Sequence, residues 1–170
     1  MTMPRILIAM LFMLALPARA AAPGVAPLSF EGRLLAAHNE ERAAHGIRPL
    51  HWSATLAAQA DSWAQTLASR GILYHSAERQ GAGENLWMGT SGYFVAEDMV
   101  GGFVKEGNHF RPGRFPDVSN TGNWADVGHY TQLIWPATQE VGCALETGHG
   151  NDVLVCRYFP AGNMMGAQVP

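Results

Sequence analysis

Gly128-His129-Tyr130-Thr131-Gln132-Leu133-Ile134-Trp135-Pro136-Ala137-Thr138 is the stretch on which the reading of this chain turns. From Gly128 to Trp135, aromatic and aliphatic side chains are mixed with a histidine, a glutamine and a threonine, too polar for a plain core segment and too apolar for a surface loop. With Gly128 opening a short helix and Pro136 closing it, His129, Gln132 and Leu133 share one face at i, i+3 and i+4, and Tyr130 and Ile134 share the adjoining one. His129 then stands at a helix start, packed but within reach of a cavity. A lone histidine so placed is more often a satisfied core residue than a ligand. Its role therefore depends on what the rest of the chain brings to it.

The beginning of the chain speaks to compartment. Arg5 supplies a positive n-region, Ile6 to Leu16 is an uncharged apolar run, and Ala18-Arg19-Ala20 fits a small-residue cleavage site, so residues 1–20 read as a secretory signal. That run is short for a bilayer span, and no later stretch reaches about 18 apolar residues. The expectation is an exported protein, secreted or periplasmic, with no stable membrane span after cleavage. Residues 21–28 are a Pro/Gly/Ala leader, residues 29–164 one domain, and residues 165–170 a tail. One domain of this size can bury a single substantial core, and a monomer is expected. Loss of Arg5 and Arg19 leaves nine Lys+Arg against 14 Asp+Glu, a balance of −5. That excess of acid argues against a nucleic-acid partner, which needs a basic face.

The two cysteines, Cys143 and Cys156, are too few for a thiolate zinc site, and an oxidising compartment favours a disulfide. Their spacing supports it. Val141 to Thr147 and Asp152 to Tyr158 flank Gly148-His149-Gly150-Asn151, which reads as a hairpin loop. Facing Thr147 with Asp152 also faces Leu145 with Leu154 and Cys143 with Cys156, at separations a disulfide spans.

The rest of the chain alternates helices with irregular connections. Ser29 caps a helix through Leu34 and Leu35 to about His45, with Gly46 just past its end. His38 lies at the edge of its apolar stripe, whereas Glu40, Glu41 and Arg42 read as a solvated face. Pro49 keeps Arg48 to Trp52 out of helix. Ser53 then caps a second helix whose Leu56, Ala60, Trp63 and Leu67 form an apolar stripe ending at Gly71. Residues from Ile72 to Gly92 are irregular apart from the strand-like Leu86-Trp87-Met88, but carry His75-Ser76 and Gly83-Glu84-Asn85-Leu86, and spacing alone leaves Glu84 either exposed or turned inward. A third helix from Tyr93 to about Gly107, weakened by Gly101-Gly102, puts Phe103 and Glu106 on one face.

The opening stretch resembles a signature of the CAP superfamily, the cysteine-rich secretory, antigen 5 and pathogenesis-related 1 proteins. Val153-Leu154-Val155-Cys156-Arg157-Tyr158-Phe159-Pro160-Ala161-Gly162-Asn163 is similar to a second signature. His38-Asn39-Glu40-Glu41-Arg42 and Gly83-Glu84-Asn85-Leu86 look like two further landmarks, so the resemblance spans roughly residues 30 to 164. It implies an α+β fold, an α-β-α sandwich with a small antiparallel sheet between helical layers. It further implies a cleft lined by His75, Glu84, Glu106 and His129, with Glu84 turned inward and Phe103 standing where the family usually has a tryptophan.

Two imidazoles with two carboxylates suit a divalent metal, zinc above all, with His75 and His129 as ligands and the acids as ligands or orienters. The resemblance also implies binding of a small hydrophobic ligand, a lipid or sterol, or of an extracellular protein partner. Apolar residues around Trp87, Met88, Tyr93, Phe94 and Val95, and around Phe110, Phe115 and Trp124, are candidates for such a pocket. A metal-dependent hydrolase or protease is the competing class. However, no His-Glu-x-x-His helix occurs and Ser76 and Ser119 lack a Gly-x-Ser-x-Gly elbow, so non-catalytic binding is favoured. An envelope interaction module with a purely structural cleft is the third class.

Overall fold

A computed structural model describes residues 27–170. Residues 1–20, expected to be a signal, and most of the expected leader lie outside the described residues. Helix α1 (Phe30–Ala44) starts at Ser29, whose hydroxyl accepts from the Gly32 amide, and ends at Gly46 with φ 65°. Helix α2 (Ala54–Arg70) stops at Gly71, also left-handed at φ 67°, a conformation that glycine adopts without a Cβ penalty. Helices α3 (Ala96–Val104) and α4 (Gly128–Leu133) are short, and strands β1 (His51–Trp52), β2 (Gly83–Thr90), β4 (Glu140–Gly148) and β5 (Asn151–Phe159) form one sheet in the order β1-β4-β5-β2. β1 runs parallel to β4, so the sheet is mixed, with its three longer strands antiparallel.

The sheet separates two apolar layers because alternate strand residues point to opposite faces. On one face Ala60, Ala64, Leu67 and Ala68 of α2 pack on Leu86, Val153 and Val155. Small side chains bring α2 close, and a Cβ on Gly142 or Gly148 would fall within about 2.3 Å of the α2 backbone. On the other face the larger core joins Leu34, Phe103, Tyr130, Leu133, Leu154 and Tyr158 from α1, α3, α4 and β5. The result is helices on both sides of one sheet, the α-β-α arrangement.

The hairpin has the register expected of it. Thr147 faces Asp152, Leu145 faces Leu154 and Cys143 faces Cys156, and the two sulfurs are bonded. The strands run one residue further at each end, leaving a two-residue turn at His149-Gly150 with φ 52° and 77°. Positive φ at both central residues matches the twist of the flanking strands.

Four expectations change. Within the segment read as irregular, Gly83–Thr90 forms the eight-residue strand β2, held by its antiparallel ladder with β5. The third helix is α3 only to Val104, and Lys105–His109 continues as a 3-10 helix, so Glu106 is carried by the tighter turn. Residues 165–170 are part of the fold: Gln168–Val169 forms β6 against β3 (Gly113–Arg114), and Val169 is fully buried. Arg42 is not on a solvated face. It is fully buried, and its guanidinium donates to the carbonyls of Arg48 (2.9 Å), Leu133 (2.8 Å), Trp135 (2.9 Å) and Thr138 (3.0 Å). Carbonyls left over beyond the end of α4 thus find charged donors on α1.

Two outcomes follow for stability. Unfolded, unreduced protein should show no free thiol, and Cys143→Ser/Cys156→Ser should cost about 3 kcal/mol by the chain-entropy model, read from denaturant curves. His38 is fully buried, bonded to Leu34 O (2.8 Å) and to the Tyr158 hydroxyl (2.7 Å), and burial holds its imidazole down to about 4. The unfolded chain takes up this proton near the ordinary value of about 6.5 while the folded chain does not, so stability falls as pH drops from about 6.5 to 4. His38→Gln should remove on the order of 3 kcal/mol from that acid slope, measured as denaturation midpoints at pH 7 and pH 4.

Candidate functional site

Edge strand β2 organises the cleft. Its first residues, Gly83, Glu84 and Asn85, line a cavity of about 420 Å³ that His75 and His129 also line. Glu84 and Asn85 point to opposite faces of the sheet, so each can hold one wall.

On the α2 side, the Glu84 carboxylate is fully buried. Oε1 accepts from the backbone amide of Ser76 (3.1 Å) and lies 2.7 Å from His75 Nδ1. Oε2 lies 2.9 Å from Nη2 of Arg157, the residue directly across the β2-β5 ladder. That contact is close in charge but out of line for a hydrogen bond, and Oε2 and Arg157 Nε are left without an aligned partner. Burial lowers the Arg157 guanidinium from its ordinary range, and Glu84 works against that shift by favouring the charged form. Glu84 thereby fixes the orientation of a half-exposed imidazole from below, and its own charge is balanced from behind.

On the other side, Glu106 does the same for His129. Its Oε1 lies 2.6 Å from His129 Nδ1, and Oε2 accepts from the backbone amides of His129 (2.9 Å) and Tyr130 (3.2 Å). Val127, at the N-cap of α4, offers no side-chain cap, so the carboxylate from the 3-10 turn satisfies amides that the helix cannot. Phe103 stacks on the His129 ring at 5.2 Å between centroids and 27° between planes. Gly107 is required here, since a Cβ would sit 2.9 Å from the Tyr130 ring.

His75, Glu84 and His129 line this cavity as expected, but Glu106 does not: it stands behind His129, so the four residues form two imidazole-carboxylate pairs rather than a common four-sided lining. In both, Nδ1 faces the acid, and among the described residues no protein group bonds either Nε2. The acids stand behind the rings and the free nitrogens remain for the cavity, a donor set that suits a metal or a polar ligand.

Other residues of the cleft hold it in shape. Gln132 Oε1 accepts from the Gly162 amide (2.9 Å), and a Cβ on Gly83 would lie 2.0 Å from the same oxygen, so the glutamine wedges α4 between β2 and the turn after β5. Asn163 donates to Gly128 O (2.8 Å), and its Oδ1 accepts from the Thr131 hydroxyl (2.7 Å). Asn85 Nδ2 reaches His129 O (3.0 Å) and the Tyr158 hydroxyl (3.2 Å). Of the apolar residues expected around a pocket, Phe115 and Trp124 line this cavity. Trp87 stacks edge-on with Phe94, Phe110 tilts against Tyr130, and Tyr93 and Val95 are exposed.

Sequence reasoning missed Arg157, Arg79 and Met165. The signal for Arg157 was present: a charged residue inside the apolar run Val153 to Tyr158 needs a buried counter-charge, and Glu84 is the acid that the strand register offers it. The serines raised for a triad are engaged elsewhere, Ser76 Oγ with Glu78 O and Ser119 Oγ with the Thr121 hydroxyl. A grouping of His38 with Cys143 and Cys156, its donor atoms within 4.8 Å of one another, offers no metal site while the sulfurs are bonded to each other and both ring nitrogens of His38 are occupied.

Comparison with known proteins agrees with this architecture. The model of the cysteine-rich secretory protein (CAP) family matches residues 35–158. This chain belongs to the CAP family. It is 37% identical over 134 residues to pathogenesis-related protein 1C of Nicotiana tabacum, covering 78% of this chain and 76% of the relative. It is 36% identical over 142 residues to the Golgi-associated plant pathogenesis-related protein 1 of Homo sapiens, covering 80% and 86%. Among solved structures, NaASP2, crystallised with Zn2+, superposes with a TM-score of 0.69 at 24% identity, covering 81% of this chain and 82% of that one.

The buried Glu84-Arg157 pair makes a sharp prediction for this CAP domain. Glu84→Gln leaves a buried guanidinium without its counter-charge and should cost about 3–5 kcal/mol. Glu84→Gln/Arg157→Met should recover at least half of that loss in urea denaturation, whereas a surface role for Glu84 would make both variants nearly neutral.

Proposed function

We propose that this CAP domain is an exported, non-catalytic binding protein whose cleft takes a divalent metal, zinc first among them, on the Nε2 atoms of His75 and His129. The observation that carries the reading is the matched pairing of each imidazole with a carboxylate through Nδ1. An acid on the far ring nitrogen fixes the tautomer that leaves Nε2 its lone pair, and it makes that nitrogen a stronger donor. Two protein ligands leave coordination positions for water or for a donor atom of a third molecule. A metal held there would act as a polar anchor for a ligand lying against Phe115, Trp124 and Met165. The volume of the cavity suits a small molecule, and a small lipid or sterol with one polar group is the hydrophobic ligand this lining favours.

Export is supported by the signal-like residues 1–20 and by relatives such as the secreted protein RBT4 of Candida albicans. Among the described residues no helix is long and apolar enough to cross a membrane. The hydrolase reading would need Glu84 or Glu106 free to take a proton from water, yet both are engaged by histidine and backbone amides, and Glu84 also by Arg157.

Zinc titration by calorimetry tests the proposal. One equivalent should bind, His75→Ala and His129→Ala should each weaken it at least tenfold, and affinity should fall as the pH is lowered, because a ligating imidazole must give up its proton. Unchanged zinc binding in both variants removes the reading.

A further inference from the structure

We infer that Met165 turns this cleft into a site for cuprous copper, with its thioether joining the two imidazoles. The inference rests on the reading that His75 and His129 hold a metal, and it adds to zinc a second ion, cuprous copper, that the thioether lets the same two imidazoles take. Met165 lines the same cavity as both histidines yet is 71% exposed, so its side chain is not spent on packing. The backbone on either side is tied down. Asn163 is bonded to Gly128 and Thr131, and the Gly166 amide donates to Phe115 O at 2.8 Å. A short anchored bow therefore holds a free thioether at the mouth of a two-histidine cleft. Thioether and imidazole together select Cu(I), whereas zinc gains little from a neutral sulfur.

The experiment is an anaerobic competition for Cu(I) against bicinchoninate, with ascorbate present, run beside zinc calorimetry on wild type, Met165→Leu and Met164→Leu. Leucine keeps the bulk and removes the sulfur, and Met164 is exposed but outside the cavity lining. Expected are a Cu(I) affinity at least tenfold weaker in Met165→Leu, zinc affinity within twofold of wild type, and no change for either metal in Met164→Leu. Copper-edge absorption should show a sulfur scatterer in wild type that Met165→Leu lacks. Intact zinc binding with no Cu(I) uptake, or with Cu(I) affinity indifferent to Met165, overturns the inference and spares the two-histidine reading. Loss on Met164→Leu instead also overturns it. Failure of wild type to bind either metal removes both.

Discussion

The guanidinium of Arg42 is the interaction on which the cleft depends. It is buried in α1, and burial lowers its pKa only to about 10, so it remains charged at neutral pH. A buried cation is costly unless its donors are satisfied. Here the partners are the carbonyls of Arg48, of Leu133 at the end of α4, and of Trp135 and Thr138 in the segment that follows it. The arrangement solves two problems at once, because a helix of six residues ends with carbonyls that cannot find amides ahead of them. α4 is too short to be stable by itself, so its position comes from neighbours: Arg42 behind, Glu106 at its start, and Gln132 and Asn163 tying its side to the turn after β5. His129 is aimed by that framework.

The two halves of the cleft are built on opposite logic. His129 is held by a carboxylate that caps a helix, so positioning the ring and starting the helix are one event. His75 stands in an irregular segment, and the group that orients it is buried in the sheet with a compensating arginine. A buried ion pair is seldom a gain in stability over an apolar pair of similar shape. Its presence at the base of the cleft is therefore better explained by the need to hold a charged acceptor under His75 than by the needs of the core. Behind both halves, the chain of contacts from His38 through the Tyr158 hydroxyl and Asn85 to the carbonyl of His129 links α1, β5, β2 and α4.

How much of this could be read from the residues depends on the range of the forces involved. The hairpin register, and the facing of the two cysteines with it, followed from setting Thr147 opposite Asp152 across the loop, because a ladder fixes every pair once one pair is known. The start of α1 followed from its Ser29 cap and the ends of α1 and α2 from glycines, whereas Ser53 stands at the N-cap of α2 without the side-chain bond expected of it. Arg42 was misread because one turn of helix carrying two acids and an arginine has the pattern of a solvent face. What buries it is the arrival of carbonyls from some 90 residues away, which no local pattern carries. The same holds for the cleft itself. His75, Glu84, Glu106 and His129 lie on four separate segments, and periodicity could not group them. Resemblance named them, but not their division into two pairs, nor Arg157 beneath one of them.

The strand register does yield a rule for such cases. An arginine flanked by apolar residues in a central strand demands an acid on the same face of a neighbouring strand, since charge in a core must be matched within a few ångströms. Once β2 is paired antiparallel with β5, Glu84 falls opposite Arg157. From there the inward orientation of Glu84 follows, which spacing had left open, and with it a buried carboxylate with an oxygen to spare for one imidazole. The arginine in the second motif is thus the sequence mark of the histidine's support. A chain that kept His75 and lost Arg157 would leave an unmatched buried charge at the very group that sets the tautomer of the ring.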